Sequence, residues 1–183
     1  MSNATIVTST GLLFDILEPT HDMVCIEDIA HSSSMCNRFT GHTKFPYPVS
    51  QHSRLGSYLV PLRFALRFLL HDGSETYIGD VNRPLKHFTK AGDEYRKIER
   101  TIQDLIYYNF GLVGDDPEVI HEIDNQMLYA EKAQLMAPTE WRNSWSKDKK
   151  AADVQIVETS FRVNKALFLD RFYQILHHGG PQL

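Results

Sequence analysis

The chain has 183 residues, of which 42% are hydrophobic and 23% charged, a composition typical of one soluble globular domain. Its net charge of −4 at pH 7 excludes an overall basic surface for nucleic acid, so an anionic ligand needs a local cluster of cations. The apolar runs are too short for a membrane span, and we find no signal peptide pattern. The two cysteines form no CxxC pair, and this sparse cysteine usage favours a reduced, cytoplasmic setting.

Hydrophobic periodicity and turn residues divide the chain into one hairpin, several helices and three polar loops. In chain order, the predictions are a hairpin over 4–17, helix 26–35, loop 37–49, helices 50–59 and 61–72, loop 79–90, helices 93–109 and 116–136, loop 137–151 with its charge run Lys147 to Lys150, and a helix over about 159–178. Gly11 turns the hairpin, and Ser50 caps the helix that holds His52 in its first turn. The Asp116-Pro117 pair begins the helix over 116–136. Together they predict one domain over 1–183, a mostly α bundle with a small N-terminal β-hairpin.

Four side chains with metal-binding chemistry lie on three of these helices: His52, the pair His71-Asp72, and Asp124. Taken alone, a His-Asp pair at a helix end is more often a C-terminal histidine followed by a turn residue. The helix before this pair is strongly apolar, however, so its end is expected to be buried, and a buried polar pair needs a partner such as a cation. Mixed imidazole and carboxylate ligands suit Mn, Fe, Co, Ni or Zn rather than Ca.

Two acidic residues near this set, Glu131 and Glu75, can each be interpreted as functional or as structural. Glu131 lies two turns after Asp124 on the same helix face, and the structural alternative for two inward acids is a buried salt bridge with Arg or Lys. Glu75 follows Asp72 by three residues, where it can orient water or shuttle a proton. Its structural alternative is a carboxylate at a helix N-terminus, which the helix dipole favours.

Two polar loops flank the metal-binding set and supply candidates for substrate binding. Arg38 suits phosphate, and the adjacent Phe39 can stack on a base, with His42 in the same loop. In the second loop, Asp80 can accept a hydrogen bond from a sugar hydroxyl, and Lys86 can neutralise phosphate. Each of these residues alone is more often an ordinary surface residue.

Several strings carry a family signature. They are Arg38-Phe39-Thr40-Gly41-His42, Val49-Ser50-Gln51-His52-Ser53, His71-Asp72-Gly73-Ser74-Glu75-Thr76-Tyr77-Ile78-Gly79-Asp80, Arg83-Pro84-Leu85-Lys86, and later Asp124 and Ala130-Glu131. Over residues 11–136, the chain resembles the HD-domain metal-dependent phosphohydrolases. Within them, it is similar to the small group of bacterial 5′-deoxynucleotidases, prophage HD hydrolases and phage dATP phosphohydrolases, although the deoxynucleotidases have Trp where Phe39 stands.

The resemblance implies a role for each matched residue. The implied ligands of one divalent transition metal (Co, Mn, Zn, Fe or Ni) are His52, His71, Asp72 and Asp124, with additional Mg on the substrate phosphates. The implied catalytic residues are Glu75 and Asp72. The implied substrate-binding residues are Arg38 for phosphate, Phe39 for the nucleoside, Asp80 for the sugar, and Gly41, His42 and Lys86.

The resulting prediction is hydrolysis of a deoxynucleotide at its 5′-phosphate by water that a metal activates. A deoxynucleoside triphosphate, dATP first, is preferred because the compact chain is most similar to the phage enzymes, and a monophosphate is close behind. The alternatives are a cyclic-nucleotide or guanosine-tetraphosphate hydrolase, a metal-bound nucleotide sensor, and a purely structural bundle. We expect a homo-oligomer that binds neither nucleic acid nor membrane.

Overall fold

The computed structural model of the protein describes residues 4–114, 117–140 and 149–178. In these residues, a two-stranded antiparallel sheet precedes a set of packed helices. The elements are β1 (Thr5–Val7), β2 (Leu13–Asp15), α1 (Ile26–Ser33), α2 (Val49–Gly56), α3 (Leu62–Leu70), α4 (Glu75–Ile78), α5 (Arg83–Phe88), α6 (Lys90–Asn109), α7 (Glu118–Leu135) and α8 (Phe161–His177), with 3-10 turns at His21–Met23 and Arg38–Gly41. The predicted mostly α class with an N-terminal hairpin is confirmed.

The hairpin turns at Gly11, whose φ of +88° is a conformation that glycine adopts without a steric penalty. Strand pairing places Ile6 opposite Phe14. The Phe14 ring is fully buried and stacks on Tyr77 of α4, with ring centroids 3.7 Å apart. The hairpin is therefore packed against the helices.

Helix α3 lies at the centre of the molecule because its sequence is apolar on nearly every side. All residues from Ala65 to Leu70 are buried, and α3 packs against α2, α6, α7 and α8. The neighbours contribute apolar stripes, such as Ile102 and Ile106 from α6 and Phe168 and Phe172 from α8. The His71-Asp72 pair follows directly on this buried helix and is itself half-buried, so the predicted burial of the helix end holds in part.

The prediction of a loop over residues 79–90 is wrong in its second half, which forms α5. The side chain of Asn82 accepts a hydrogen bond from the Leu85 amide and caps α5, and Pro84 occupies its first turn. Thr89 then caps α6, which begins at Lys90 rather than at Asp93. Asn and Pro are frequent in loops, but they also occupy the first positions of helices, as Asn82 and Pro84 do here.

Other boundaries differ by a few residues. Helix α2 begins at Val49 after Pro48, so Ser50 is not its cap, although His52 still lies in the first turn. Helix α7 begins at Glu118, and the predicted start at Asp116 lies outside the described residues, as does the first half of the charge run predicted over 147–150.

Residues 149–160 form an extended segment that crosses α7 before α8 begins. The Ala152 amide donates to the Gln126 carbonyl, and the Gln134 side chain donates to the Val154 carbonyl. Further along, the side chain of Gln51, which precedes His52 in the sequence, donates to the Val157 carbonyl.

None of the helices within the described residues has the length and apolarity that a membrane crossing requires.

Candidate metal centre

Two imidazole nitrogens and two carboxylate oxygens converge at the end of α3. The Nε2 atoms of His52 and His71 lie 3.3 Å apart. Asp124 Oδ1 lies 3.2 Å from His52 Nε2 and 3.7 Å from His71 Nε2. Asp72 Oδ2 lies 3.8 Å and 3.3 Å from the same two nitrogens. The structure thus brings together all four residues of the predicted set, and His52, His71 and Asp72 form a group that can hold a metal ion.

Hydrogen bonds on the far side of each ring orient both histidines. The Nδ1 atom of His71 lies 2.6 Å from the Phe68 carbonyl oxygen, and Nδ1 of His52 lies 2.5 Å from Glu131 Oε1. Nδ1 must donate to the carbonyl and to the carboxylate, so a neutral ring carries its lone pair on Nε2. Two nitrogens that each lie about 2.1 Å from one ion in tetrahedral geometry are about 3.4 Å apart, which matches the observed separation. The donor set therefore fits a transition metal.

The electrostatics of the cluster also favour a cation. Burial and the guanidinium of Arg38 lower the pKa of His52. The carboxylates of Glu131 and Asp124 outweigh them and raise this pKa to about 9. Burial disfavours the Asp124 carboxylate, but hydrogen bonds from His52 and His71 hold its pKa well below the ordinary value. The site therefore stabilises positive charge between its carboxylates, which protons or a metal ion can supply.

Glu131 is fully buried and joins three side chains of the site. Its Oε1 accepts hydrogen bonds from His52 and from the Tyr47 hydroxyl at 2.9 Å, and its Oε2 lies 3.4 Å from Arg38 Nε. Burial disfavours the charged form, but Arg38 and His52 keep the pKa of Glu131 below its ordinary value. Arg38 Nη1 also donates to Asp72 Oδ2 at 3.0 Å. The buried salt bridge that the sequence offered as the alternative for Glu131 is thus present.

The Arg38–Gly41 turn carries two further residues of the predicted substrate site, Phe39 and Gly41, and a third, His42, follows it directly. Phe39, Thr40 and Gly41 all have positive φ values, of 58°, 53° and 76°, which is a strained conformation for the first two. Phe39 is half-buried against a small apolar cluster around Tyr47, while Gly41 and His42 are exposed. The turn therefore aims Arg38 at the cluster and leaves His42 in solvent.

Two further carboxyl groups, those of Glu75 and Asp80, lie near Asp72 and Arg38 of the cluster. Glu75 is 6% exposed, and its Oε2 has no hydrogen-bond partner among the described residues. Burial, with Asp72 and Asp80 nearby, raises the pKa of Glu75 well above its ordinary value. Burial also raises the pKa of Asp80, although Arg38 opposes the shift. Glu75 therefore holds its proton more tightly than an ordinary glutamate does.

Lys86 reaches the region of the cluster from α5, but it is already paired. Its Nζ lies 2.5 Å from Glu99 Oε1. Lys86, His71 and Asp72 line one cleft of about 710 Å³ along α6. The same cleft is lined by Arg67, Arg96, Arg100 and His121, which the sequence interpretation did not select. The signal for Arg96 and Arg100 was a polar stripe at helical spacing on α6, a pattern that is equally typical of a solvated face.

The histidine–carboxylate cluster on a mostly helical frame defines a candidate metalloprotein, and comparison with known proteins narrows its family. No protein-family model matches the chain. It is 35% identical over 130 residues to YfdR of Escherichia coli, an uncharacterized protein, covering 71% of each chain. The chain therefore belongs to the same family as YfdR.

Two further relatives match shorter stretches. An uncharacterized protein of Rhodobacter capsulatus is 32% identical over 112 residues, 56% of each chain. The 5′-deoxynucleotidase YfbR of Salmonella typhi is 30% identical over 102 residues, which are 55% of this chain and 42% of that enzyme. The match to the deoxynucleotidase thus spans less than half of its length, and agrees in part with the resemblance seen in the sequence.

Proposed function

We propose that the protein is an HD-type metal-dependent hydrolase that cleaves the 5′-phosphate ester of deoxynucleotides, preferring a deoxynucleoside triphosphate such as dATP. One observation carries this proposal, the convergence of two imidazole Nε2 atoms and two carboxylates at the end of α3. The similarity to the 5′-deoxynucleotidase YfbR supports the nucleotide as substrate.

The residues that would hold the metal are His52, His71, Asp72 and Asp124. A divalent transition metal bound there would lower the pKa of a water molecule and neutralise negative charge on the phosphate. The chain orients its own donors for this task, since the Nδ1 bonds of both histidines turn Nε2 toward the cluster.

Glu75 is the proposed proton-transfer group. Its buried carboxyl, which holds a proton more tightly than an ordinary glutamate, can deliver that proton to the leaving oxygen. Arg38 orients Asp72 through one nitrogen and is the proposed phosphate contact through the remaining guanidinium N–H groups. Phe39, Gly41, His42, Asp80 and Lys86 complete the proposed substrate site.

A 5′-deoxynucleotidase that acts on deoxynucleoside monophosphates is the second candidate. The name of the Salmonella relative favours it. The two candidates differ in the phosphate chain that the site must accommodate, and therefore in the product released, which is orthophosphate from a monophosphate and triphosphate from attack at the α phosphorus of a triphosphate.

The test is a turnover screen of all deoxynucleoside monophosphates, deoxynucleoside triphosphates and ribonucleoside triphosphates, with Co, Mn, Mg or Zn added and products separated by chromatography. We expect selective turnover of deoxynucleotides. Glu75→Gln should lower kcat at least about 100-fold while metal content stays unchanged, because the carboxyl moves a proton and is not a proposed ligand. Glu122→Gln, an exposed change on α7, is the matched control.

Two results would contradict the proposal. Folded, metal-loaded protein that turns over no nucleotide would favour a metal-bound nucleotide sensor. Full activity in Glu75→Gln would remove Glu75 from the reaction.

A further inference from the structure

The cleft of about 710 Å³ extends from the metal-binding cluster along one face of α6. His71 and Asp72 contribute to its wall at the cluster, and His121 contributes from α7. The α6 residues of the wall recur every three or four positions, so they form one continuous stripe. A ligand whose reacting group sits at the cluster can therefore continue along α6.

Cationic side chains follow this stripe. Arg96 and Arg100 lie one turn apart, about 6 Å along the helix axis. Arg96 is positioned by hydrogen bonds to the Lys86 carbonyl and to Asp93. Arg100 is exposed and forms no hydrogen bond or ion pair with any residue that the structure describes. A guanidinium without a partner beside a cleft is ready to bind an anion.

The carboxylates of the same cleft are mostly neutralised within the protein. Asp72 is bonded to Arg38, and Glu99 is paired with Lys86. Asp104, four residues after Arg100 on the same face, forms no ion pair with any residue that the structure describes, and its charge opposes a bound anion. Arg96 is itself paired with Asp93, so the unpaired positive charge of the stripe lies at Arg100, with Asp104 as the opposing group.

We propose that this cleft is a polyphosphate subsite, in which Arg96, Arg100 and His121 contact the phosphates beyond the one at the metal cluster. The inference rests on the proposed function and deepens it, since a nucleoside monophosphate leaves the α6 stripe unfilled while a triphosphate occupies it. The substrate class is therefore a deoxynucleoside triphosphate, and Arg100 determines specificity for the length of the phosphate chain.

The test uses inorganic tripolyphosphate and orthophosphate as probes, titrated calorimetrically into the metal-loaded protein. We expect tripolyphosphate to bind more tightly than orthophosphate. Arg100→Ala should weaken tripolyphosphate binding about five-fold and leave orthophosphate binding unchanged, because only the longer anion reaches α6. Asp104→Asn should strengthen tripolyphosphate binding about two-fold by removing the opposing charge. Arg162→Ala on α8, a residue that does not line the cleft, is the matched control.

The outcomes separate this inference from the proposed function. Deoxynucleotide turnover together with unchanged tripolyphosphate binding in Arg100→Ala would overturn the subsite and leave the hydrolase intact. Selective loss of tripolyphosphate binding in a protein that hydrolyses no nucleotide would support the subsite and contradict the hydrolase. A matching fall in kcat/KM for triphosphates but not monophosphates in Arg100→Ala would support both.

Discussion

The orientation of His52 depends on Glu131, a carboxylate that is not itself a proposed metal ligand. Glu131 accepts from His52 Nδ1, which places the lone pair of a neutral ring on Nε2. It also accepts from Tyr47 and faces Arg38, so its own position is set by two further contacts. We infer that Glu131 is a positioning residue for the metal centre.

Removing this carboxylate is predicted to weaken metal binding. Glu131→Ala should raise the dissociation constant for Co or Zn about 10- to 100-fold, because His52 then loses the bond that selects its tautomer and orientation. The measurement is a metal titration followed calorimetrically or by the visible absorption of bound Co. Glu131→Gln should give a smaller loss, since the amide oxygen can still accept from Nδ1. Glu122→Ala, exposed on the same helix, is the control, and equal affinity in Glu131→Ala would disprove the positioning role.

At the scale of elements, Asp28 of α1 attaches the hairpin to the helices. Its Oδ1 accepts from the Ser9 hydroxyl at 2.6 Å and the Thr10 amide at 2.8 Å, and its Oδ2 accepts from the Thr10 hydroxyl at 2.7 Å. Burial disfavours its charge, but these hydrogen bonds outweigh burial and lower the pKa of Asp28. The Asp28 carboxyl therefore binds a proton less tightly in the folded state than in the unfolded state.

The stability contributed by Asp28 is predicted to depend on pH. Asp28→Ala should lower the free energy of unfolding by about 2 kcal/mol at pH 7, since three hydrogen bonds to a carboxylate are lost. Because the pKa of Asp28 is lower in the folded state, its carboxylate stabilises the fold at any pH above its pKa in the unfolded state. This stabilisation is lost as the pH falls through the pKa of Asp28 in the folded state. The difference in the free energy of unfolding between the native protein and Asp28→Ala should thus be constant above about pH 5 and shrink below about pH 4.

Urea unfolding across this pH range measures the effect. Glu27→Ala, an exposed change at the neighbouring position of α1, should alter stability little. A loss in Asp28→Ala that stays the same at every pH would show that packing, and not the charge, supplies the stability.

Helices α2 and α3 cross closely enough to bring the two histidines together. A Cβ at Gly56 would collide with the ring of Phe68, so glycine allows this approach. Phe68 in turn supplies the carbonyl that orients His71. The same contact between Gly56 and Phe68 thus sets both the packing of α2 on α3 and the geometry of the candidate metal centre.

At the scale of the whole molecule, the candidate ligands come from three separate parts of the fold. His52 lies on α2, His71 and Asp72 follow α3, and Asp124 lies on α7. An ion bound to all of them links these helices only when the chain is folded, so metal binding is coupled to stability. The expectation of a homo-oligomer stays a prediction.

Metal is therefore predicted to raise the melting temperature. An ion at about 100 times its dissociation constant adds about 2.7 kcal/mol, which corresponds to roughly 5–10 °C in a chain of this size. The measurement is thermal unfolding after chelation and after addition of Co, Mn or Zn. The increase should persist in Glu75→Gln and vanish in Asp124→Ala. An equal increase in Asp124→Ala would show that the ion binds elsewhere.

Much of the fold was predictable because its signals are local. Apolar periodicity located α1, α3, α6, α7 and α8, since each buries one face or nearly all of its surface. Helix α5 was missed because Asn82 and Pro84 serve loops and helix starts equally well. The polar stripe of α6 was visible, but its spacing alone does not distinguish a ligand-binding cleft from a solvated face.

By itself, the sequence determined the helical class, the hairpin and the four side chains with metal-binding chemistry, because these depend on residue type and short-range spacing. Only the tertiary structure decided which groups meet. Glu131 bonds Tyr47 and His52 across 84 and 79 positions of the chain. Such partners are chosen by how α2, α3 and α7 pack, and packing depends on complementary shapes that no local pattern records.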